Sequence, residues 1–192
     1  LLALMLLQHS RRDARTDAAG AAVLLPEQDR RRWHGDEIAE AVGILAELLA
    51  TEGTAGASDV RYCEYLLQSL IAAEHAVAPA SGDTDWSRIA GWYAELEVLT
   101  GSPVVRLNRA VAVAEGSGVG FGPAAALALL DGLDDALAGS HRLSAVRAEL
   151  LLRTGDAVAA ADQFQAAISL CQNDIERAHL AERLAAADPS SS

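Results

Sequence analysis

Asn108 and Arg109 interrupt the run from Val104 to Val113, whose other residues are all apolar except Arg106. Placed there, they either reach a bound partner or tie one helix to its neighbour, because a polar group inside an apolar helix packing needs a hydrogen-bond partner. The spacing leaves both readings open. Gln28, Asp29, Arg30 and Trp33 form a second such group, read as the start of a helix. There Asp29 suits the positive end of the helix dipole and Arg30 is placed to pair with it. Elsewhere the residue types that do chemistry lack the spacing for it. Histidines 9, 34, 75, 141 and 179 form neither an HExxH pair nor a Cys/His ligand set, so surface or capping roles are expected and no metal. His75 lies near a helix C-terminus, where the dipole favours the imidazolium. No G-x-S-x-G elbow surrounds any serine, and Asp134-Asp135 reads as a solvated loop pair. The run Gly116-Ser-Gly-Val-Gly-Phe-Gly122 has the glycine content of a phosphate loop, but a helix precedes it and no Lys-Ser/Thr pair follows. A floppy turn is expected there. The sequence thus points to partner binding, with no catalytic residue and no cofactor.

The elements that must position these residues read as helices throughout. Alanine and leucine dominate an apolar content of 51%, aromatics are only 4%, and the five prolines fall between periodic segments. The class is all-α. Between Ser102 and Gln172 two helical hairpins repeat one pattern: Ala126 and Leu130 stand where Ala160 and Phe164 stand, 34 residues later, and Leu133 where Ala167 stands. Ala110 answers to Ala148 at an offset of 38, the extra four residues falling in the glycine-rich turn. Small residues at contact points let helices approach closely, and a period near 34 marks tetratricopeptide arrays. Antiparallel hairpins stacked as a right-handed, tetratricopeptide-like array are therefore expected.

Helices are expected near 1–15, 27–51, 59–77, 103–115, 123–131, 141–154, 157–171 and 174–187, with another from Trp86 capped by Thr84 or Asp83. The stripe of the second is Ile38, Ala41, Val42, Leu45, Leu48 and Leu49; that of the third includes Tyr62, Tyr65, Leu66, Ser69, Leu70 and Ala73. Residues 1–101 form N-terminal hairpins, truncated at the start. Residues 102–187 form the repeats and a capping helix, and 188–192 a disordered tail, all in one continuous domain. Gly53 to Ser58 reads as a flexible break.

Net charge is −12, and there is no lysine. Residues 1–32 hold six arginines against four acids, a balance of +2, and the other 160 hold nine against 23, a balance of −14. Such a surface repels phosphate, so no direct nucleic-acid contact is expected. Cys63 and Cys171 stand far apart without partner motifs, as reduced, buried thiols of a cytoplasm would. Leu1 to Leu7 is too short to span a bilayer and reads as a helix opened by a cut, so a fragment of a longer protein is expected.

Several segments carry a family likeness. Gln28-Asp-Arg-Arg-Arg-Trp33, Tyr65-Leu-Leu-Gln-Ser-Leu-Ile-Ala-Ala-Glu-His75, Asp83-Thr-Asp-Trp86 and Ser102-Pro-Val-Val-Arg-Leu-Asn-Arg-Ala-Val-Ala-Val-Ala-Glu115 resemble the C-terminal extension of bacterial extracytoplasmic-function (ECF) sigma factors with a tetratricopeptide-like tail. The resemblance covers most of the chain in order. It implies a non-enzymatic regulatory domain that modulates transcription initiation, its partners being sigma domains of the same parent chain or the RNA polymerase core. Asn108, Arg109, Trp33, Trp86, Arg30 and Asp85 are the partner-binding candidates. A free-standing tetratricopeptide adaptor for peptide segments of another protein is the alternative. The glycine insertion at 116–122 and the added Val60-Arg-Tyr-Cys-Glu64 depart from the family pattern.

Overall fold

Alanine and leucine, spaced to bury one stripe per helix, produce an all-helical chain. The computed structural model describes residues 1–18, 20, 21, 23–51 and 60–187. The breaks expected at Gly53–Ser58 and Asp188–Ser192, and the side chains of Tyr62 and Cys63, lie outside the described residues. Among those described there is no strand, and the helices are α1 (Leu2–His9), α2 (Gly35–Thr51), α3 (Val60–Val77), α4 (Trp86–Thr100), α5 (Pro103–Glu115), α6 (Pro123–Leu129), α7 (His141–Thr154), α8 (Ala157–Leu170) and α9 (Asp174–Ala187). They form two compact units, Leu1–Thr100 and Gly101–Ser192.

In the first unit α1 packs on α2 and α3, α2 on α3, and α3 on α4. Ala3, Leu7, Ala41, Leu45, Leu66 and Leu70 make its core. Two helix limits differ from expectation. The first helix stops at His9 rather than Arg15, because the buried Ser10 hydroxyl donates to the Leu7 carbonyl while its own carbonyl accepts from His34 N–H. A 3-10 turn, Arg12–Ala14, follows. The second helix starts at Gly35, not Glu27, since Gln28 and Trp33 are extended and separate 3-10 turns lie at Leu25–Glu27 and Arg30–Arg32. The apolar stripe of α2 is also narrower than expected: Ala41 and Leu45 are buried, but Val42 and Leu49 are exposed. On α3 the buried face takes in Leu66, Ser69 and Leu70, and Tyr65 is exposed. Asp85, rather than Thr84 or Asp83, caps α4 by accepting from Arg88 N–H at 3.0 Å.

In the second unit each helix packs on the next, and α5 also touches α7. The equivalent positions Ala110 and Ala148, Ala126 and Ala160, and Leu130 and Phe164 are all essentially inaccessible to solvent. Leu133 and Ala167 are buried too, although α6 ends at Leu129 and Leu133 is carried by the turns beyond it. Between α7 and α8, Gly155 is left-handed at φ +91°, and Gly155 and Asp156 N–H bond the Leu152 and Leu151 carbonyls. That is a Schellman ending. The Asp156 carboxylate then accepts from Ala159 N–H and starts α8.

The glycine-rich turn is folded rather than floppy. The Phe121 ring lies directly on Gly116, where an added Cβ would stand 2.2 Å from the ring, and Gly122 N–H donates to the Val113 carbonyl at 2.8 Å. Gly118, Gly120 and Gly122 take positive φ to close the loop.

Candidate functional site

The six partner candidates divide between the units. Arg30, Trp33, Asp85 and Trp86 belong to the first, Asn108 and Arg109 to the second. In the first, the turn Arg30–Arg32 places Arg30 over the Trp33 ring at 4.5 Å, with Arg11 on the same ring at 5.8 Å. Arg30 Nη1 also donates to the carbonyls of His75 (2.5 Å) and Ala78 (2.8 Å), satisfying the free end of α3. Asp29 does not pair with Arg30 as expected; it caps its own turn through Arg31 N–H and binds the Arg31 guanidinium. Trp33 is only 8% exposed, so its ring is spent on packing. Trp86 is half-buried and meets the His75 ring edge-on at 5.1 Å.

His75 departs from its expected charge. Burial, with Arg11 and Arg30 nearby, lowers its pKa to about 4, so the imidazole is neutral and the helix dipole loses. A second polar group links the 3-10 turn after α1 to α2. Arg12 donates to Glu37 at 2.8 Å and reaches His34 Nδ1 at 3.1 Å, while His34 Nε2 stands 2.7 Å from Asp13. Arginine has only donors, so Nδ1 accepts and Nε2 carries the proton toward Asp13.

In the second unit the first helices of successive hairpins, with α9, border a groove of about 480 Å³. Val111, Val146, Leu150 and Leu180 supply apolar wall, and Phe164 from α8 reaches its floor. Two ion pairs cross it: Arg153 to Glu115 at 2.5 Å and Arg183 to Glu149 at 2.6 Å. Arg153 also donates to the Ala114 carbonyl at the end of α5. Glu149 and Arg153 are i, i+4 neighbours on α7, and each binds the equivalent position of an adjoining element, 34 or 38 residues away. Asn108 is exposed and shares a helix face with Val111 and Glu115, one turn and two turns along α5. Arg109 is half-buried beside Ala110. Asp134 is not merely solvated: Arg147 binds both its oxygens and lowers its pKa.

Sequence spacing gave no sign of one further cluster. His141 at the start of α7, Cys171 after α8 and Glu176 in the first turn of α9 present ligand atoms within 4.8 Å of one another. Those residues are 30 and five positions apart, a spacing that matches no ligand motif and emerges only when α8 folds back on α7. Among the described residues no helix is long and apolar enough to cross a membrane.

Residues 1–49, which build α1 and most of α2, match a family of unknown function, DUF6596. Over 192 residues, 99% of its length, the chain is 42% identical to an uncharacterized protein of Rhizobium meliloti (strain 1021). It spans 43% of that protein, less than half. No solved structure matches.

Proposed function

We propose that the chain is a tetratricopeptide-like, right-handed array serving as the regulatory tail of an ECF sigma factor. It acts in the cytoplasm without catalysis and modulates promoter-directed transcription by binding the sigma domains of its own parent chain or the polymerase core. The observation that carries this reading is the groove bordered by α5 and α7, the first helices of successive hairpins, and by α9. A groove with apolar walls and charged rims suits a polypeptide segment better than a small metabolite. The exposed Asn108 stands on the same face, where it would fix the register of such a segment. Excess negative charge favours a basic protein module as the partner and disfavours nucleic acid.

The test is promoter-directed transcription with RNA polymerase by the Rhizobium relative, intact and with the region matching this chain removed. A change in activity at equal protein level is expected. Equal activity removes the regulatory role, and no polymerase-dependent transcription from either form removes the sigma-factor reading.

A further inference from the structure

We infer that His141, Cys171 and Glu176 form a site for a divalent transition metal, with zinc the best fit. The three side chains come from the start of α7, the end of α8 and the start of α9. His141 Nε2 lies 2.9 Å from Glu176 Oε2, and the Cys171 sulfur lies within 4.8 Å of a ring nitrogen of His141 and a carboxylate oxygen of Glu176. Zinc bonds of about 2.0–2.3 Å to nitrogen, oxygen and sulfur place tetrahedral ligand atoms roughly 3.3–3.8 Å apart. A tetrahedral zinc therefore requires His141 and Glu176 to part and the sulfur to draw inward, each by less than about 1.5 Å.

The surroundings suit an ion entering from one side. Cys171 is buried at the back, beside Phe164, Ala167 and Leu180. His141 is half-buried and Glu176 is exposed at the mouth. Arg177 is already engaged, donating to the Cys171 carbonyl and binding Asp174. Binding would release the thiol proton to solvent and shift the His141 proton to Nδ1, leaving Nε2 free to ligate. A thiolate, an imidazole and a carboxylate match zinc or cobalt rather than magnesium or calcium, and the fourth position is left for water. Such an ion would bolt α9 to the α7–α8 hairpin. This inference does not depend on the sigma-factor reading.

The experiment titrates cobalt into the chelator-stripped, reduced 192-residue chain and then displaces it with zinc. A thiolate-to-cobalt charge-transfer band and four-coordinate d–d bands are expected. Cys171→Ser should abolish the charge-transfer band, while His141→Ala and Glu176→Gln should each weaken binding about tenfold or more. Cys63→Ser should leave the spectrum unchanged, and zinc should raise the melting temperature of the parent more than that of Glu176→Gln. Glu176 is exposed, so its variant tests the site even if the buried cysteine variant loses helicity. No band overturns the site, as does a band that survives Cys171→Ser, disappears with Cys63→Ser or ignores Glu176→Gln.

Discussion

The two units solve the same problem with different material. The second, Gly101–Ser192, is held by small or apolar residues at positions 34 or 38 apart, Ala110 and Ala148, Ala126 and Ala160, Leu130 and Phe164, each with its side chain sealed from water. The first, Leu1–Thr100, also has an aliphatic core, but charged side chains fasten its loops across long gaps. Arg30 reaches the end of α3, 45 residues away, and Arg12 reaches Glu37, 25 away. Close helix approach tolerates no change of volume, whereas a polar fastening tolerates volume and fails on charge. The units should therefore break under different perturbations.

Volume changes in the second unit should have the largest effect. Phe164 is fully buried between α7, α8 and α9, so Phe164→Ala should cost about 3–5 kcal/mol through lost contacts and the cavity left behind. Ala148→Leu or Ala160→Leu presses methylenes into closed contacts and should cost about 1–3 kcal/mol. Chemical denaturation gives these values, and hydrogen exchange should place the loosening within residues 101–187. Unchanged stability for either alanine variant would mean that the shared register of the two hairpins does not constrain packing.

That register was legible because it repeats. Helices at 103–115, 141–154 and 174–187 fall at their expected limits, since Ser102-Pro103, Gly155-Asp156 and the alanine spacing are all local signals. The first unit was less legible because its decisive contacts are neither local nor periodic. Nothing near Ser10 announces that its carbonyl is taken by the His34 amide, and that bond helps set where α1 ends. Likewise Arg30 read as a partner for the adjacent Asp29, although it serves carbonyls far along the chain. Burial of the partner candidates was no more legible: Trp33 looks like an exposed anchor in sequence, yet it is buried, with the Arg30 and Arg11 guanidinium groups against its ring.

Charge should break the first unit. Folding depresses the His75 pKa from an ordinary 6.5 to about 4, through burial first and then Arg11 and Arg30. The unfolded chain therefore binds the extra proton, so this contribution is complete above about pH 6.5 and is lost as pH falls toward 4. Partial exposure of the ring keeps the loss on the order of 1–2 kcal/mol. Stability measured against pH for the parent and His75→Gln checks it, the difference between the curves removing the titration of the carboxylates. A constant gap across pH 4–7 would show that the imidazole does not titrate on unfolding.

The smallest effect should come from the ion pairs across the groove of the second unit. Arg183 binds Glu149 through two bonds of 2.6 and 2.7 Å, yet both side chains remain about 40% exposed. Water at that exposure screens most of the attraction, and two long side chains give up rotamer freedom to meet. A double-mutant cycle of Glu149→Gln and Arg183→Gln should give a coupling of only about 0.2–1 kcal/mol, shrinking at high salt. Hydrogen-exchange protection of Ala148, Ala160 and Phe164 should stay at parent levels in both variants. A coupling above about 2 kcal/mol that persists in salt would contradict the contrast drawn between the units. It would mean that the second unit, too, depends on a polar fastening, one that joins α7 to α9 across the groove.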